Sequence, residues 1–229
     1  MTRIKACGMT NLVDAEHAAS LGAWAIGLIH HPDSPRYVGP AVAEQIGAAL
    51  KRRCEVVGVF VNPRLDEVVD AAERGGLTML QFHGEEGPSF CAEAARRTGA
   101  RVMKAMRVKS AADVHRAEAF RTDFHLFDAY RHGVHGGTGK SFDWELVAGR
   151  RSKVPMVIAG GLTVENVGRA IEVARPYAVD VVTGVEAESG RKDPAKVEEF
   201  FRAVAALKEP TPAAPQPGTP AGRAEDVAG

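Results

Sequence analysis

The sequence predicts an α/β protein, a single-domain (β/α)8 barrel with parallel strands, on three observations. Short apolar runs alternate with longer amphipathic segments from the start of the chain, which is typical of parallel strands joined by crossover helices. Eight of these runs qualify as strands, and their spacing leaves room for one helix each. The chain has 229 residues with 45% hydrophobic side chains, which is enough to bury the core of one such barrel.

The predicted strands are short apolar runs, several of them rich in Val, Ile, Leu or Met. They span residues 3–8, 23–30, 55–61, 78–83, 101–107, 124–129, 155–159 and 178–183. An open doubly wound sheet uses the same elements, because periodicity does not reveal strand order. Such a sheet usually has a G-x-G-x-x-G turn after its first strand, whereas this chain has Cys7-Gly8-Met9-Thr10 there. The closed barrel is therefore favoured.

Helix start signals occur in the segments between the strands. Asn62 is predicted to be an N-cap with Pro63 at position N1, ahead of an apolar stripe over residues 65–72. The other predicted starts are Thr10 or Asn11, Ser110 with Asp113, Thr163, and Asp193 with Pro194. Each start follows a predicted strand, as the alternating pattern requires.

The C-terminal end differs in composition from the rest of the chain. From residue 209 onward proline, alanine and glycine dominate, and almost nothing is apolar enough to pack. We therefore predict a barrel domain over residues 1–208 and a disordered tail over residues 209–229.

The composition argues for a small ligand. Lys plus Arg and Asp plus Glu both number 29, so no net field favours nucleic acid or an anionic membrane surface. No apolar run approaches the roughly 18 residues of a membrane span, and the N-terminal segment lacks a signal-peptide core. We therefore expect a cytoplasmic protein with neither nucleic acid nor membrane as a partner.

Cysteine and histidine spacing gives no sign of a metal site or a disulfide framework. Cys7, Cys54 and Cys91 lie far apart and include no C-x-x-C pair. Two pairs of histidines lack a carboxylate cluster at ligand spacing, so no metal is expected. These pairs are His30 with His31 and His132 with His135.

In a barrel of this kind the functional residues lie at the C-terminal ends of the strands. The last residue or two of each predicted strand gives a short set of candidates. In strand order these are Cys7, His30 with His31, Asn62, His83, Arg107, Asp128, Gly160 with Gly161, and Thr183 with Gly184.

The last two strand ends indicate the ligand class, because the loops after strands seven and eight form the common phosphate site of this architecture. Gly160-Gly161 would expose backbone N–H groups to an anion, and Thr183-Gly184 would add more together with a hydroxyl donor. Glycines also serve simply to turn a strand into a helix, but two such loops together favour a phosphate.

Cys7 is the candidate base or nucleophile. A lone cysteine beside a strand is usually a small core residue. Cys7, however, lies at a strand exit, where a helix N-terminus and Lys5, on the same strand face, would lower its pKa. We therefore predict a thiolate at Cys7 and structural roles for Cys54 and Cys91.

A carboxyl acid and a carboxylate clamp complete the candidates. Asp128 ends an apolar run just before the chain breaks into glycines, which is how a parallel-sheet protein presents an acid. The glycines at 136–139 are better placed for a mobile loop that closes over the ligand than for a phosphate cradle. Arg36, held between Pro35 and Tyr37 in the long second loop, would clamp a carboxylate.

Most of these candidates lie in motifs ordered along residues 3 to about 205. The motifs are 5–10 (KACGMT), 34–38 (SPRYV), 81–85 (QFHGE), 127–128 (FD) with 136–144 (GGTGKSFDW), 159–162 (AGGL), 179–186 (VDVVTGVE) and 190–193 (GRKD). Together they resemble the phosphoribosylanthranilate isomerase family, the Amadori-rearrangement enzymes of tryptophan biosynthesis.

The resemblance implies a (β/α)8, or TIM, barrel that opens the ribose ring of N-(5-phosphoribosyl)anthranilate and yields the 1-deoxyribulose 5-phosphate aminoketone without a cofactor. By the same resemblance, Asp128 is the general acid that protonates the furanose ring oxygen. Cys7 is the general base that takes the C2' proton from the resulting Schiff base. Both roles suit these side chains, since burial can hold a carboxyl protonated and a thiolate is a competent base near neutral pH.

The resemblance also assigns the binding residues. Arg36 matches the family's contact to the anthranilate carboxylate, and His83 matches its fourth-strand site residue. Gly160-Gly161 and Thr183-Gly184 match its phosphate cradle. The expected partner is a small phosphorylated substrate, and the expected assembly is a monomer or a homodimer.

This chain departs from the commonest family pattern at a few positions. Ala6 stands where a larger aliphatic residue is usual, and Thr183 where serine is usual. His30-His31 replaces a more frequent aromatic pairing. These departures bear on substrate affinity and assembly, because none of them removes a group that the reaction needs.

Three alternatives remain open at the level of sequence. The sugar isomerase of histidine biosynthesis uses the same barrel and rearrangement, but with an aspartate at the first strand where this chain has Cys7. A phosphoribulose epimerase would need metal-binding histidines and carboxylates at several strand ends. A non-catalytic phosphate-binding barrel would have no need of both Cys7 and Asp128.

Overall fold

The computed structural model describes residues 1–128 and 144–207 and has a closed barrel of eight parallel strands. The strands are β1 (Arg3–Cys7), β2 (Ala25–Ile29), β3 (Glu55–Phe60), β4 (Met79–Phe82), β5 (Arg101–Arg107), β6 (Phe124–Asp128), β7 (Met156–Ala159) and β8 (Ala178–Val181). Neighbours in the chain are neighbours in the sheet, and β1 pairs with both β2 and β8. The predicted fold class is confirmed, and the predicted strands match the observed ones to within two residues at each end.

Helices surround the barrel and connect successive strands. They are α1 (Leu12–Ser20), α2 (Pro40–Leu50), α3 (Leu65–Gly75), α4 (Pro88–Thr98), α5 (Ala111–Arg116), α6 (Glu145–Ala148), α7 (Val164–Ala174) and α8 (Pro194–Ala206). Across residues 1–128 and 144–207, no helix is both long enough and apolar enough to cross a membrane. The predicted tail over residues 209–229 and the glycine loop at 136–139 lie outside the described residues.

A short antiparallel hairpin follows the last barrel strand and was not predicted. Its strands are β9 (Glu186–Glu188) and β10 (Arg191–Lys192), and a 3-10 turn at Thr183–Val185 precedes them. Two strands of three and two residues are too short to show an alternating pattern in sequence. The hairpin brings Glu186 and Lys192 back towards the C-terminal ends of the barrel strands, called the mouth below, and both side chains are buried there.

Most of the predicted helix starts are confirmed by their capping hydrogen bonds. The confirmed N-caps are Asn11, Ser110, Thr163 and Asp193. The prediction at Asn62 is wrong, because α3 begins at Leu65 with Arg64 as its N-cap. Asn62 instead has a left-handed φ of 49°, and its side-chain oxygen accepts a 2.7 Å hydrogen bond from the Glu85 N–H. It joins two loops rather than opening a helix.

Side-chain alternation along the strands divides the core into two layers. Outward-facing residues such as Ile4, Ile26 and Leu80 pack between the barrel and the helices. Inward-facing residues fill the interior, and most of them are apolar. They include Ala25, Val57, Met79, Met103, Leu126, Val157 and Ala178. A strand residue that is an even number of positions from one of these residues therefore points into the barrel, and one at an odd number points towards the helices.

His30 takes part in the outer core as an aromatic ring. It stacks on Phe60 with a centroid distance of 5.0 Å and an interplanar angle of 12°, and Phe60 in turn contacts Phe82. Within the described part of the chain, its buried Nε2 has no hydrogen-bond partner. Burial lowers the pKa of His30 to about 4. The imidazole is therefore neutral at physiological pH and substitutes for a hydrocarbon ring.

We expect His30→Phe to remove part of the acid sensitivity of the fold. The pKa of His30 is about 4 in the folded state against an ordinary 6.5, so the unfolded state binds the extra proton and stability falls as pH drops from 6.5 towards 4. Between pH 7.5 and pH 5 the variant should lose roughly 1–2 kcal/mol less unfolding free energy than wild type. Chemical denaturation at both pH values measures this difference.

His31→Gln is the matched control, because His31 is about one-third exposed and faces Asp33 at 3.9 Å. It should retain the wild-type loss of stability at acidic pH. Equal losses in wild type and His30→Phe would contradict the prediction.

Candidate active site

Four candidate residues face the inside of the barrel at its C-terminal end. Met79, Met103 and Leu126 point inward, so His83, Arg107 and Asp128, an even number of positions further on, point the same way. Ile4 and Ala6 face the helices, which turns Cys7 inward. His83 directly follows β4, and the other three end β5, β6 and β1. Closure of the sheet gathers all four around one end of the barrel, the mouth.

Cys7 occupies space that a glycine on the next strand leaves open. It pairs with Gly27 in the β1–β2 register, and a Cβ added at Gly27 would lie 2.4 Å from the Cys7 Sγ. Any larger residue at this position would displace the thiol. Cys7 itself is only 3% exposed. Sequence reasoning missed Gly27, because its role depends on the strand register.

The electrostatics of Cys7 correct one prediction. Burial raises the pKa of the thiol, while the positive charges of Lys5 and Lys192 lower it and Asp180 raises it further. The net direction is upward, so the predicted lowering is wrong in the free protein. The reason is that an almost fully buried sulfur loses more solvation of its thiolate than the nearby cations return.

Lys5 lies beneath Cys7 on the same face of β1 and is fully buried. Its Nζ donates a 2.9 Å hydrogen bond to Asp180, which is 5% exposed. The two residues are Cα partners across the β1–β8 seam. Burial alone would lower the pKa of Lys5, but the Asp180 carboxylate outweighs it and the pKa is raised. Sequence reasoning identified Lys5 but not its partner.

Asp128 contacts a chain of two polar side chains, His83 just after β4 and Gln81 on β4. Its Oδ2 lies 3.1 Å from the His83 Nε2, and the His83 Nδ1 lies 3.3 Å from the Gln81 Nε2. Gln81 is 1% exposed, whereas the side chains of His83 and Asp128 are 21% and 15% exposed. The imidazole thus links a buried amide to a carboxyl group that still reaches solvent. Strand-end reasoning found His83 and Asp128 but could not show that they touch.

Arg36 reaches the mouth from the loop after β2 and pairs with a buried glutamate. Its Nε and Nη2 donate to the two carboxylate oxygens of Glu186 at 2.8 and 2.7 Å, and the Lys192 Nζ donates to the same carboxylate at 3.1 Å. Burial alone would raise the pKa of Glu186, but these two cations outweigh it and the pKa is lowered. The Arg36 stem packs on Gly8, where an added Cβ would lie 2.8 Å from its Cδ. This places the guanidinium next to the segment that carries Cys7.

The two glycine loops lie in direct contact. A Cβ added at Gly184 would lie 2.1 Å from the Leu162 carbonyl oxygen, so the turn after β8 packs on the loop after β7. Gly160 and Gly161 both have left-handed φ values, 93° and 64°. Gly161 and Thr183 are exposed, and α7 begins directly after this loop. The structure therefore brings the two loops together beside a helix N-terminus.

Two other strand-end residues do not join this cluster. The imidazole of His30 faces the outer core, and Asn62 joins the loops after β3 and β4. The described residues include no group of three or more side chains of the kind that could hold a metal ion. Within these ranges, the mouth instead holds a thiol, a carboxyl with its imidazole, several cations and two glycine loops.

This arrangement suits acid–base chemistry on a small anion. A thiol on β1 and a carboxyl on β6 approach the mouth from different sides, so a substrate between them would meet a base and an acid at different atoms. Backbone N–H groups of the glycine loops suit a phosphate, and the guanidinium suits a carboxylate.

Comparison with known proteins relates the chain to one enzyme family. A family model described as N-(5'-phosphoribosyl)anthranilate (PRA) isomerase matches residues 4–203. A relative from Geobacter metallireducens is 44% identical over 202 residues, covering 88% of this chain and 98% of the relative. One from Geobacter sulfurreducens is 45% identical over 202 residues with the same coverage. Both carry the name N-(5'-phosphoribosyl)anthranilate isomerase.

Solved structures of similar proteins point the same way. Phosphoribosyl anthranilate isomerase from Thermotoga maritima is 40% identical, with a TM-score of 0.84, covering 90% of this chain and all of that one. A structure of phosphoribosyl anthranilate isomerase in complex with reduced 1-(o-carboxyphenylamino)-1-deoxyribulose 5-phosphate is 38% identical, with a TM-score of 0.79. It also covers 90% of this chain and 100% of its own. Monomers made from a dimeric form of the Thermotoga maritima enzyme give the same identity and TM-score.

Proposed function

The chain belongs to the N-(5'-phosphoribosyl)anthranilate isomerase family, and on that premise we propose that Cys7 and Asp128 are the base and acid of its reaction. The reaction is the Amadori rearrangement of N-(5'-phosphoribosyl)anthranilate to 1-(2-carboxyphenylamino)-1-deoxyribulose 5-phosphate, a step of tryptophan biosynthesis. It is an aldose–ketose isomerisation, which makes the protein an intramolecular oxidoreductase. One observation carries the residue assignment: a buried thiol and an imidazole-bound carboxyl face the same barrel mouth from β1 and β6.

The first step opens the ribose ring. Asp128, in its protonated form, gives its proton to the ring oxygen while the anthranilate nitrogen lone pair forms a double bond to C1' and the C1'–O bond breaks. The products are a Schiff base cation and the Asp128 carboxylate. The 3.1 Å contact between Asp128 and His83 supports a place for His83 beside the same oxygen, where we propose that it binds the substrate.

The second step moves a proton from C2'. The Cys7 thiolate takes this proton, the C2'–H bonding electrons form a C1'=C2' double bond, and the charge on nitrogen is neutralised. Tautomerisation then transfers the hydroxyl proton from the oxygen on C2' to C1' and leaves a ketone. C1' is reduced and C2' is oxidised within one molecule, so the balanced reaction needs no external oxidant or reductant.

Substrate binding is proposed at both ends of the mouth. The Nε and Nη2 edge of Arg36 is bound to Glu186, and the edge that includes Nη1 faces elsewhere. That second edge suits the anthranilate carboxylate, because a guanidinium has donors for two bidentate partners. The phosphate is proposed at Gly160, Gly161, Thr183 and Gly184, which lie in two contacting loops.

The family assignment selects among the alternatives left by the sequence. Relatives at 44% and 45% identity are named for the anthranilate substrate, which sets aside the epimerase and the histidine-pathway isomerase as the main activity. We propose a small phosphorylated molecule as the partner, a monomer or homodimer as the assembly and the cytoplasm as the location. The domain bounds of 1–208 and 209–229 likewise remain predictions.

Cys7→Ser and Asp128→Asn should each lose nearly all turnover, by about 100-fold or more, because each removes one proton-transfer group. Both variants should still bind the reduced product analogue, since neither removes the proposed carboxylate or phosphate contacts. Turnover is measured as the fall in anthranilate fluorescence when freshly made substrate is converted, and binding is measured by calorimetry.

Cys54→Ser and Asp66→Asn are the matched controls, because Cys54 is half-buried beside Leu50 and Asp66 is exposed on α3, both outside the mouth. They should retain wild-type turnover. Absence of turnover in wild type would overturn the function, and near wild-type rates in both site variants would overturn the residue assignment.

Gly184→Ala should raise the KM about tenfold with a smaller change in kcat. The new Cβ would lie 2.1 Å from the Leu162 carbonyl oxygen, so the two loops must separate and their N–H groups would no longer converge. Inorganic phosphate should also inhibit the variant more weakly than it inhibits wild type. Gly149→Ala is the control, because nothing lies within 4 Å of a Cβ at that position. An unchanged KM and phosphate inhibition in Gly184→Ala would place the phosphate elsewhere.

A further inference from the structure

Lys5 is an unusual residue for a barrel interior. It is 0% exposed, and lysines are almost never fully buried unless they are paired. Its pairing with Asp180 at 2.9 Å satisfies that condition. Its neighbours in the interior layer, Ala25 and Ala178, are small and apolar. The ion pair therefore crosses the seam of the barrel in surroundings that solvate charge poorly.

Barrel closure alone does not account for this pair. Taking two charges out of water costs several kcal/mol for each ion, and apolar side chains of similar volume often stabilise a buried position equally well or better. β1 and β8 are also joined by their own ladder of backbone pairs. Stabilisation of the seam is therefore a weak explanation for two buried charges at this position.

The group that Lys5 faces is Cys7. Cys7 follows Lys5 by two positions on β1, and because Ile4 and Ala6 face the helices, both side chains point into the barrel on the same face. The charge of Lys5 lowers the pKa of the thiol against the effect of burial. The other charged groups around this thiol are Asp180 from β8, Lys192 from β10 and Arg36 from the loop after β2. Lys192 and Arg36 are both bound to Glu186, whose carboxylate offsets part of their charge. Among the described residues, Lys5 is thus the cation that acts most directly on Cys7.

From this geometry we propose that Lys5 is the positioning residue for Cys7: its ammonium, on the same inward face of β1, stabilises the thiolate, and Asp180 moderates the effect by binding the same ammonium. The inference rests on the proposed function, because it concerns the base of the same reaction. When the thiolate accepts the C2' proton it becomes a neutral thiol. Lys5 keeps its proton and remains paired with Asp180, so it transfers nothing itself.

The proposal predicts opposite effects for the two partners. Asp180→Asn removes the competing anion and leaves the ammonium to the sulfur, so the thiolate should form at lower pH. Removing Lys5 as well, in Lys5→Met/Asp180→Asn, takes away the stabilising charge without leaving an unpaired ion in the interior, so the thiolate should form at higher pH. A purely structural pair would instead give two variants that are both less stable and titrate alike.

The test follows thiolate formation at Cys7 by its ultraviolet absorbance, taken as the difference between each protein and the same protein carrying Cys7→Ser. Asp180→Asn should shift the titration down by about one pH unit, and the double variant should titrate at least about one unit above Asp180→Asn. The acidic limb of the pH profile of kcat/KM should move in the same directions. Equal titrations in the two variants, or an upward shift in Asp180→Asn, would overturn the proposal.

A second buried ion pair supplies the matched control. Lys104 and Glu86 are 2.8 Å apart with side chains 3% and 2% exposed. Lys104 lies between the inward-facing Met103 and Ala105 on β5, so this pair is on the helix side of the sheet, away from Cys7. Lys104→Met/Glu86→Gln should leave the Cys7 titration unchanged, and a shift as large as that of the Lys5 variants would also overturn the proposal. A missing titration difference with normal wild-type turnover rejects the role of Lys5 alone. Absence of wild-type turnover rejects the proposed function and, with it, the catalytic part of this inference.

Discussion

Hydrogen bonding between β1 and β8 closes the sheet, and the position of every functional side chain depends on that closure. In an open sheet β1 and β6 would lie several strands apart along a line. In the closed barrel their C-terminal ends lie around one mouth, so the side chains of Cys7 and Asp128 point into the same opening. The seam also carries the Lys5–Asp180 pair, which ties the closure of the fold to the electrostatics of the thiol.

The thiol and the carboxyl at the mouth have different neighbours. On one side, Cys7 is surrounded by Lys5, Lys192 and Arg36, which favour an anion against the effect of burial. On the other, the Asp128 carboxyl lies 3.1 Å from the Nε2 of His83. Glu186 limits the positive charge on the thiol side by binding both Arg36 and Lys192.

Periodicity and turn residues were enough to predict the barrel, because each strand and helix buries its own apolar face. The rule that barrel sites lie at strand ends then predicted Cys7, His83 and Asp128 as site residues, and the structure places all three at the same end of the barrel. The rest depends on register and burial, which sequence patterns do not contain. Gly27 makes room for the thiol only because of its pairing with Cys7, and the upward pKa shift of Cys7 follows from burial that no local motif reveals. Asn62 looked like a helix cap but is used between two loops.

The central claim, that Asp128 opens the ring and Cys7 then removes the C2' proton, is tested most directly with substrate carrying deuterium at C2'. If the roles are assigned correctly, the residual turnover of Cys7→Ser will show a large primary isotope effect, because loss of the base makes C2' proton removal rate-limiting. The residual turnover of Asp128→Asn will show almost none, because ring opening then limits the rate. The same isotope effect in both variants, or a large effect in Asp128→Asn alone, would contradict the account.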